Sequence, residues 1–420
     1  TSNNGSYKLT AASITVDEGG SLVISNGEVE TSGDAGFSGD LTMSGGLLDV
    51  DGEFDMLSTG DGRNISDGNI TAKQGRFNYA EFFQPSGGTF TFDVGYNGIL
   101  SMHSSGHFHN LIIDIGASYS LSPLANFDVN GALTVSSGTL DISSNTVTVS
   151  GATDIDGTLK ISTGIYDANN SFTASGGNIT FTGAGFLKCA LSVGSIGTLS
   201  TSNGTVVYDR PSGTQNVTQG TYNNLTIDGN ASHQIGNGVG INVLGNLVVN
   251  QNGTTTFDVR DKDITVSGTS DINGTLEIGT GTFDANGSFD ATGGTIDFTG
   301  AGRLQCANTV TSLGTLDHAE GTVEYDGDDS QTVKEDTYFN LELDGDGSGA
   351  KNAAEAITVN GSFTITSDCE RYDTESYLTN VIGATDINSI LRINSNSGVF
   401  DADGSFDATG GNVTFTGNGN

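Results

Sequence analysis

The feature that most constrains this chain is that it repeats itself. Gly151-Ala-Thr-Asp-Ile-Asp-Gly-Thr-Leu returns from Gly268 as Gly-Thr-Ser-Asp-Ile-Asn-Gly-Thr-Leu, 117 residues on. It returns again from Gly383 as Gly-Ala-Thr-Asp-Ile-Asn-Ser-Ile-Leu, 115 residues further. Gly177-Asn-Ile-Thr-Phe-Thr-Gly has counterparts from Gly294 and Gly411, each step being 117 residues. Tyr208-Asp209 matches Tyr325-Asp326, and Tyr222-Asn-Asn-Leu matches Tyr338-Phe-Asn-Leu. These landmarks divide the chain into a divergent first unit at 1–124, units at 125–240 and 241–355, and a partial unit at 356–420. A long internal period is the mark of a repeat architecture.

A finer period lies inside the long one. Apolar runs begin at Phe127, Thr146, Ile165, Phe186, Thr205, Asn224 and Ile241, about 19 residues apart, so that six such segments approximate one long period. Each segment holds three short strand-like pieces. Phe127–Asn145 contains Phe-Asp-Val, Ala-Leu-Thr-Val and Thr-Leu-Asp-Ile, with Gly, Asn or Ser at the joints. Strands alternate their side chains with period two. One circuit of three strands cannot bury its own apolar face, but a stack of circuits can. The pattern predicts an all-β fold, a parallel β-helix (β-solenoid) with three-strand coils, running as one continuous solenoid. The inward positions would include Leu133, Val135, Leu140, Ile142, Val147, Val149, Ile155, Leu159 and Ile161. Gly and Asn at the corners are expected to supply positive φ. Roughly 21–22 coils at about 4.8 Å each would make a rod about 100 Å long, and strand chirality favours right-handed winding. The rival is a string of immunoglobulin-like β-sandwiches, which a period of 117 residues also suits. Such modules space their strands 8–12 residues apart. Here strand starts fall every six or seven residues, and Trp is absent.

Composition narrows the function. The chain has 63 Gly and only 3 Pro, and 34% of its residues are apolar. Low hydrophobicity with high charge ordinarily signals disorder, but the regular apolar runs argue against that here. Fifty acids against 14 bases give a formal charge of −36. Phosphate recognition needs Lys and Arg, so nucleic acid is not an expected partner, and anionic membrane surfaces are disfavoured. No apolar run approaches the ~18 residues of a membrane span. Three Cys make no disulfide framework. The chain opens at Thr1, which suggests a processed product or a piece of a longer chain.

The 19-residue coil seen in Phe127–Gly164, and the Gly-Thr-Val-x-Tyr-Asp block followed by Tyr-x-Asn-Leu, resemble bacterial extracellular β-solenoids of the filamentous-haemagglutinin and autotransporter-passenger kind. The resemblance covers most of residues 125–420 and implies secretion, an elongated shape, and adhesion, surface coating or fibre formation. No catalytic residue carries over from it.

Several constellations merit a chemical reading. Asp154, Asp271 and Asp386 share one repeat position, and Asp167, Asp284 and Asp401 another. Asp326, Asp328 and Asp329, with Asp344 and Asp346, resemble oxygen-rich calcium loops, although Asp is also a common turn-former. His103, His107 and His109 form a candidate transition-metal group, against the plainer reading of surface His. Cys189 and Cys306 share a repeat position, while Cys369 stands apart. About six coils would separate the first two, too far for a bridge, so buried, inward-facing thiols are expected, with an intermolecular disulfide as the alternative. No nucleophile elbow, zinc motif or P-loop occurs, and no enzyme is expected; a polysaccharide-active β-helix is the remaining catalytic option. Tyr208 and Tyr325 are candidates for an exposed aromatic column touching a glycan or a host surface. A solenoid ending mid-repeat at Gly417–Asn420 would leave strand edges open for another copy to stack on, head to tail, and fits equally the truncation of a longer chain.

Overall fold

The computed structural model describes residues 7–57, 64–77, 83–102, 106–200, 202–317, 319–394 and 397–416. His103 and the terminal Gly417–Asn420 lie outside the described residues. Among those described there is no helix, and every strand pairing is parallel. The sandwich alternative requires antiparallel hairpins and is therefore excluded. The strands wind into a β-solenoid of about 20 turns. The chain divides into two compact units, Thr1–Val207 and Tyr208–Asn420.

Through the middle of the first unit, from Thr89–Phe92 to Asn178–Phe181, strands pair with the third strand after them. Phe127–Val129 lies beside Thr146–Val149, Leu133–Ser137 beside Thr153–Ile155, and Thr139–Ser143 beside Thr158–Ile161. Coil length is set by the register: Thr146 faces Ile165, which faces Phe186. All nine inward positions expected from the alternation are fully buried. Nearer the N-terminus two long strands, Asp40–Met56 and Asn64–Phe77, run round the corners. There the interior is aromatic. Phe37, Phe54, Phe77, Phe83, Phe90, Phe92, Phe108 and Phe127 form a continuous chain of ring contacts, with centroids 4.7 to 6.4 Å apart. Offset and edge-on ring pairs of this kind add to the burial of their area.

The corners work only in part as the sequence suggests: Gly116, Gly138, Gly197 and others do take positive φ. Gly151, Gly268 and Gly383 do not have positive φ. They are Gly because the coil beneath is too close. A Cβ on Gly151 would overlap the carbonyl of Gly131, one on Gly268 that of Gly245, and one on Gly383 that of Gly361. Asn serves as a bridge between coils. The Asn224 Oδ1 accepts the backbone N–H of Asn246 at 2.9 Å, and the Asn246 Oδ1 accepts that of Thr269 at 3.0 Å. Asn110 and Asn340 do the same for Ala132 and Ser362. This explains the recurrence of Asn-Leu: Asn closes the corner and Leu turns inward.

The long period is not six coils. In the second unit, Asn224–Ile227 and its counterpart Asn340–Leu343 are seventeen strands apart among the described residues. Seventeen strands make five coils and two further faces. Leu247–Val249 and Ser270–Ile272 therefore stand on one ladder, while their counterparts Phe363–Ile365 and Thr385–Ile387 stand on the neighbouring one. The Ile241 run is likewise displaced. It pairs with Gly220–Tyr222, and the partner of Asn224–Ile227 is Leu247–Val249.

One difference between repeats has an energetic consequence. In the first unit the buried Thr153 hydroxyl lies 3.1 Å from the Tyr166 hydroxyl. In the second unit the counterparts of Tyr166 are Phe283 and Phe400, and the buried hydroxyls of Ser270 and Thr385 have no partner. A buried polar group without a partner is destabilising. Phe283→Tyr is expected to restore the bond and stabilise the second unit by about 1 kcal/mol. Denaturant titration reads the gain, and a loss of stability would show that the column has no room for the hydroxyl.

Candidate functional site

The continuity of the solenoid in the second unit is interrupted at residues 307–338. The ladder carrying Val310–Ser312 ends there, as does the one carrying Thr315–Leu316. New ladders begin at Gln331–Val333 and Thr337–Tyr338. Only the face of Arg303–Cys306, Thr322–Tyr325 and Asn340–Leu343 runs through.

Side chains take over where the ladders stop. Gln331 Nε2 donates to the carbonyls of Cys306 at 2.7 Å and Asn308 at 2.9 Å, and its Oε1 accepts from Gly327 N at 2.8 Å. The Tyr325 and Tyr338 hydroxyls lie 3.3 Å apart inside the coil. Tyr325 accepts the Lys334 N–H and Tyr338 donates to the Lys334 carbonyl, at 3.1 and 2.7 Å. The preceding repeat has the same device: Tyr208 and Tyr222 hold the backbone of Thr218. Tyr208 and Tyr325 are thus wholly buried. They are corner clamps and not the exposed aromatic column expected for a glycan. Alternation from the buried Val206 and Val323 places both rings inward, and the residues that depart from it are the buried Val207 and Glu324 between them.

The acidic loops collect around a lysine. Lys351 is fully buried, and its ammonium donates to the Gly327 carbonyl at 2.5 Å and to Gln331 Oε1 at 2.6 Å. Burial lowers its pKa, while Cys369, Asp326, Asp344 and Asp328 act to raise it. The Asp326 carboxyl is pushed up to about 6 by burial and by Glu324 beside it. The other aspartates point elsewhere. Asp344 accepts a hydrogen bond from Thr366 Oγ1, and Asp346 accepts two from Ser348. Asp328 and Asp329 are exposed, and the backbone carbonyl of Asp328 accepts the Ser348 hydroxyl at 3.0 Å. Lys351 thus places a positive charge among four of the five residues proposed from sequence as calcium ligands, Asp326, Asp328, Asp344 and Asp346, a role the isolated Lys in Ala350–Ala353 did not advertise. Among the described residues no three His, Cys, Asp or Glu side chains converge as a metal centre does.

The remaining sequence candidates are scattered. Asp271 and Asp386 lie on different ladders, as do Asp284 and Asp401, because the repeat changes face. His107 is half-buried on the two-residue strand His107–Phe108, and His109 sits at the corner beyond it. Cys189, Cys306 and Cys369 are buried and form no disulfide; burial pushes the thiol of Cys369 up to about 11 and that of Cys306 higher still.

Three features went unseen in the sequence. The first is a polar groove of about 310 Å³ opened by the broken ladder and lined by Asn308, Thr309, Asp329, Ser330, Thr332 and Lys334. It offers amide, hydroxyl and charged groups for hydrogen bonding. The second is a carboxylate column, with Asp258, Glu277 and Asp297 in register on successive coils. Burial, together with mutual repulsion, raises the pKa of Glu277. The third is His233, which takes the ladder position that Lys351 takes one repeat later, between Gln215 and Phe257.

His233 is fully buried, and desolvation lowers its pKa. An unfolded chain takes up this proton near pH 6.5, while the folded chain resists until lower pH. Stability from the neutral imidazole is therefore complete above about pH 6.5 and is lost as the pH falls towards the folded value. His233→Leu is expected to lose less stability than the parent between pH 7 and pH 5 in denaturant titrations. Parallel losses would mean that His233 is charged in the fold. In comparisons with protein-family models, curated proteins and solved structures, nothing matches this chain.

Proposed function

We propose that the chain is an extracellular structural protein of the adhesive or surface-coating kind, acting without catalysis. The observation that carries this reading is the uniformity of the solenoid. Coil after coil spends its sequence on the same three-strand circuit, with inward Leu, Ile, Val and Phe and outward Thr, Asn and Asp. Such a surface repeats one modest chemistry many times, which suits spacing, coating and multivalent contact more than the turnover of a single substrate. The charge of −36 opposes collapse of copies on one another. All three Cys are buried thiols, and no disulfide ties the described coils together.

The location is tested by brief protease treatment of intact cells that make the protein. An antibody to the chain is expected to lose its signal while a cytoplasmic marker is kept. Survival of both signals would overturn the extracellular assignment.

A second reading, a glycan-binding adhesin module, is favoured by the polar groove. Its Asn308, Thr309, Ser330 and Thr332 are the residue types that pair with sugar hydroxyls. On a panel of immobilised polysaccharides, the Asn308→Ala/Ser330→Ala/Thr332→Ala variant is expected to be retained at least several-fold less than the parent. Equal retention of the two removes the groove from the account.

A further inference from the structure

We propose that Lys351 and Gln331 join covalently, the lysine amine displacing ammonia from the glutamine carboxamide, so that an isopeptide bond staples one coil to the next. A link of this kind needs neither an extracellular location nor a ligand, so it stands or falls independently of both.

The pair sits where the ladders restart. Gln331 and Lys351 are in register on the adjacent strands Gln331–Val333 and Ala350–Ala353, and both are buried. A buried charge is costly unless it is paired. The acceptors of Lys351 are the backbone carbonyl of Gly327 and a neutral carboxamide, whose Oε1 lies 2.6 Å from its Nζ. Neither carries a charge to balance the ammonium. Conversion to an amide removes that buried charge altogether.

The carboxamide is fixed at both of its polar atoms. Its Oε1 also accepts the Gly327 N–H at 2.8 Å, a donor aimed at the atom on which negative charge gathers when an amine adds to the carbon. Its Nε2 is tied to the carbonyls of Cys306 and Asn308. Gly327 also has no side chain to cover the amide: a Cβ there would lie 2.8 Å from Gln331 Cδ. In the preceding repeat Gln215 Oε1 likewise accepts the backbone N–H of Arg210, at 3.3 Å. The residue in register with Gln215 is His233, which carries no amine, so the link belongs to the later joint alone.

The reaction balances without an oxidant or a cofactor. Lys351 first gives up a proton, on which burial weakens its hold. The Nζ lone pair forms a bond to Cδ, and the carbonyl π pair moves onto Oε1. When that pair returns, the Cδ–Nε2 bond breaks and its electrons leave with the nitrogen. Nζ loses two protons in all and the departing nitrogen gains two, leaving as ammonium. Asp326 is the carrier for them. It precedes Gly327, its Oδ1 is buried with no hydrogen-bond partner among the described residues, and it lies within electrostatic reach of Lys351. The groove of about 310 Å³ that Gln331 and Asn308 both line is the way out for the ammonium. Holding amine and amide in contact supplies the proximity that the same groups lack in free solution.

Tryptic mapping of the denatured 420-residue chain tests this. Trypsin cuts an unlinked chain after Arg303, Lys334, Lys351 and Arg371. A linked Lys351 is not cut, so the expected product is one branched species, 304–334 joined to 335–371, lighter than its two parts by one ammonia. Its fragment ions are expected to place the branch between Gln331 and Lys351. Separate 335–351 and 352–371, both in fresh protein and after prolonged incubation at mildly alkaline pH, overturn the proposal, as does a branch between any other pair. Sampled at intervals after cell-free synthesis, Asp326→Asn is expected to keep the circular dichroism spectrum and to form the link about 100-fold more slowly. Asp326→Glu, which keeps the carboxyl, is expected to recover part of that rate. Equal rates in the parent and Asp326→Asn overturn the proton-carrying role of Asp326.

Discussion

The spacing between coils governs everything else in this molecule. Parallel ladders hold neighbouring strands about 4.8 Å apart, and each corner must turn within that distance. Gly131 beneath Gly151, and Gly245 beneath Gly268, show the result: a corner backbone lies where a side chain would begin. The corners that are not Gly use Asn, whose short amide reaches the backbone of the next coil. The high Gly content thus answers to stacking pitch as well as to positive backbone angles.

The same pitch explains why a modest apolar content suffices. Each coil needs only the inward residues of its three strands, and coils above and below cover them. Leu133, Leu140 and Val147 are wholly buried although each lies on a strand of five residues or fewer. Where the ladders stop, as at Val310–Ser312, this economy fails and polar side chains must close the gap. Gln331, Lys351 and the Tyr325–Tyr338 pair carry hydrogen bonds that backbone groups carry elsewhere. Part of the interior polarity sits at this joint, where the fold needs substitutes for missing strands; Gln215, His233, Asp373 and Thr379 are buried elsewhere.

Much of the architecture was legible in the sequence, because an alternation of two within a coil of about 19 residues leaves few solutions. All nine inward positions named from Leu133 to Ile161 follow from that alternation. What was not legible arose from departures of one strand or one residue. The Ile241 run looks like the start of a new circuit, but its strand belongs to another face, and only pairing partners reveal this. Tyr208 and Tyr325 stand two residues beyond the buried Val206 and Val323, so alternation places them inward, but the hydroxyl partners that let them be buried, Tyr222 and Tyr338, lie 13 or 14 residues away. Lys351 stands in an inward position that ordinarily excludes charge, and its acceptors, Gly327 and Gln331, come from the coil before. The groove at Asn308 and Ser330 has no local signature, since it is made by the absence of a ladder between distant segments.

The mismatch between seventeen strands and a three-sided coil has a consequence for how such a chain grows. A gene that lengthens by copying one whole repeat does not extend a stripe. It deals each marking to the adjacent side, as Asp271 and Asp386 already show. Three successive copies are needed before a given marking faces its original direction. Duplication alone thus spreads a motif around the circumference, and any partner that must read one side in a straight line meets it only once in three.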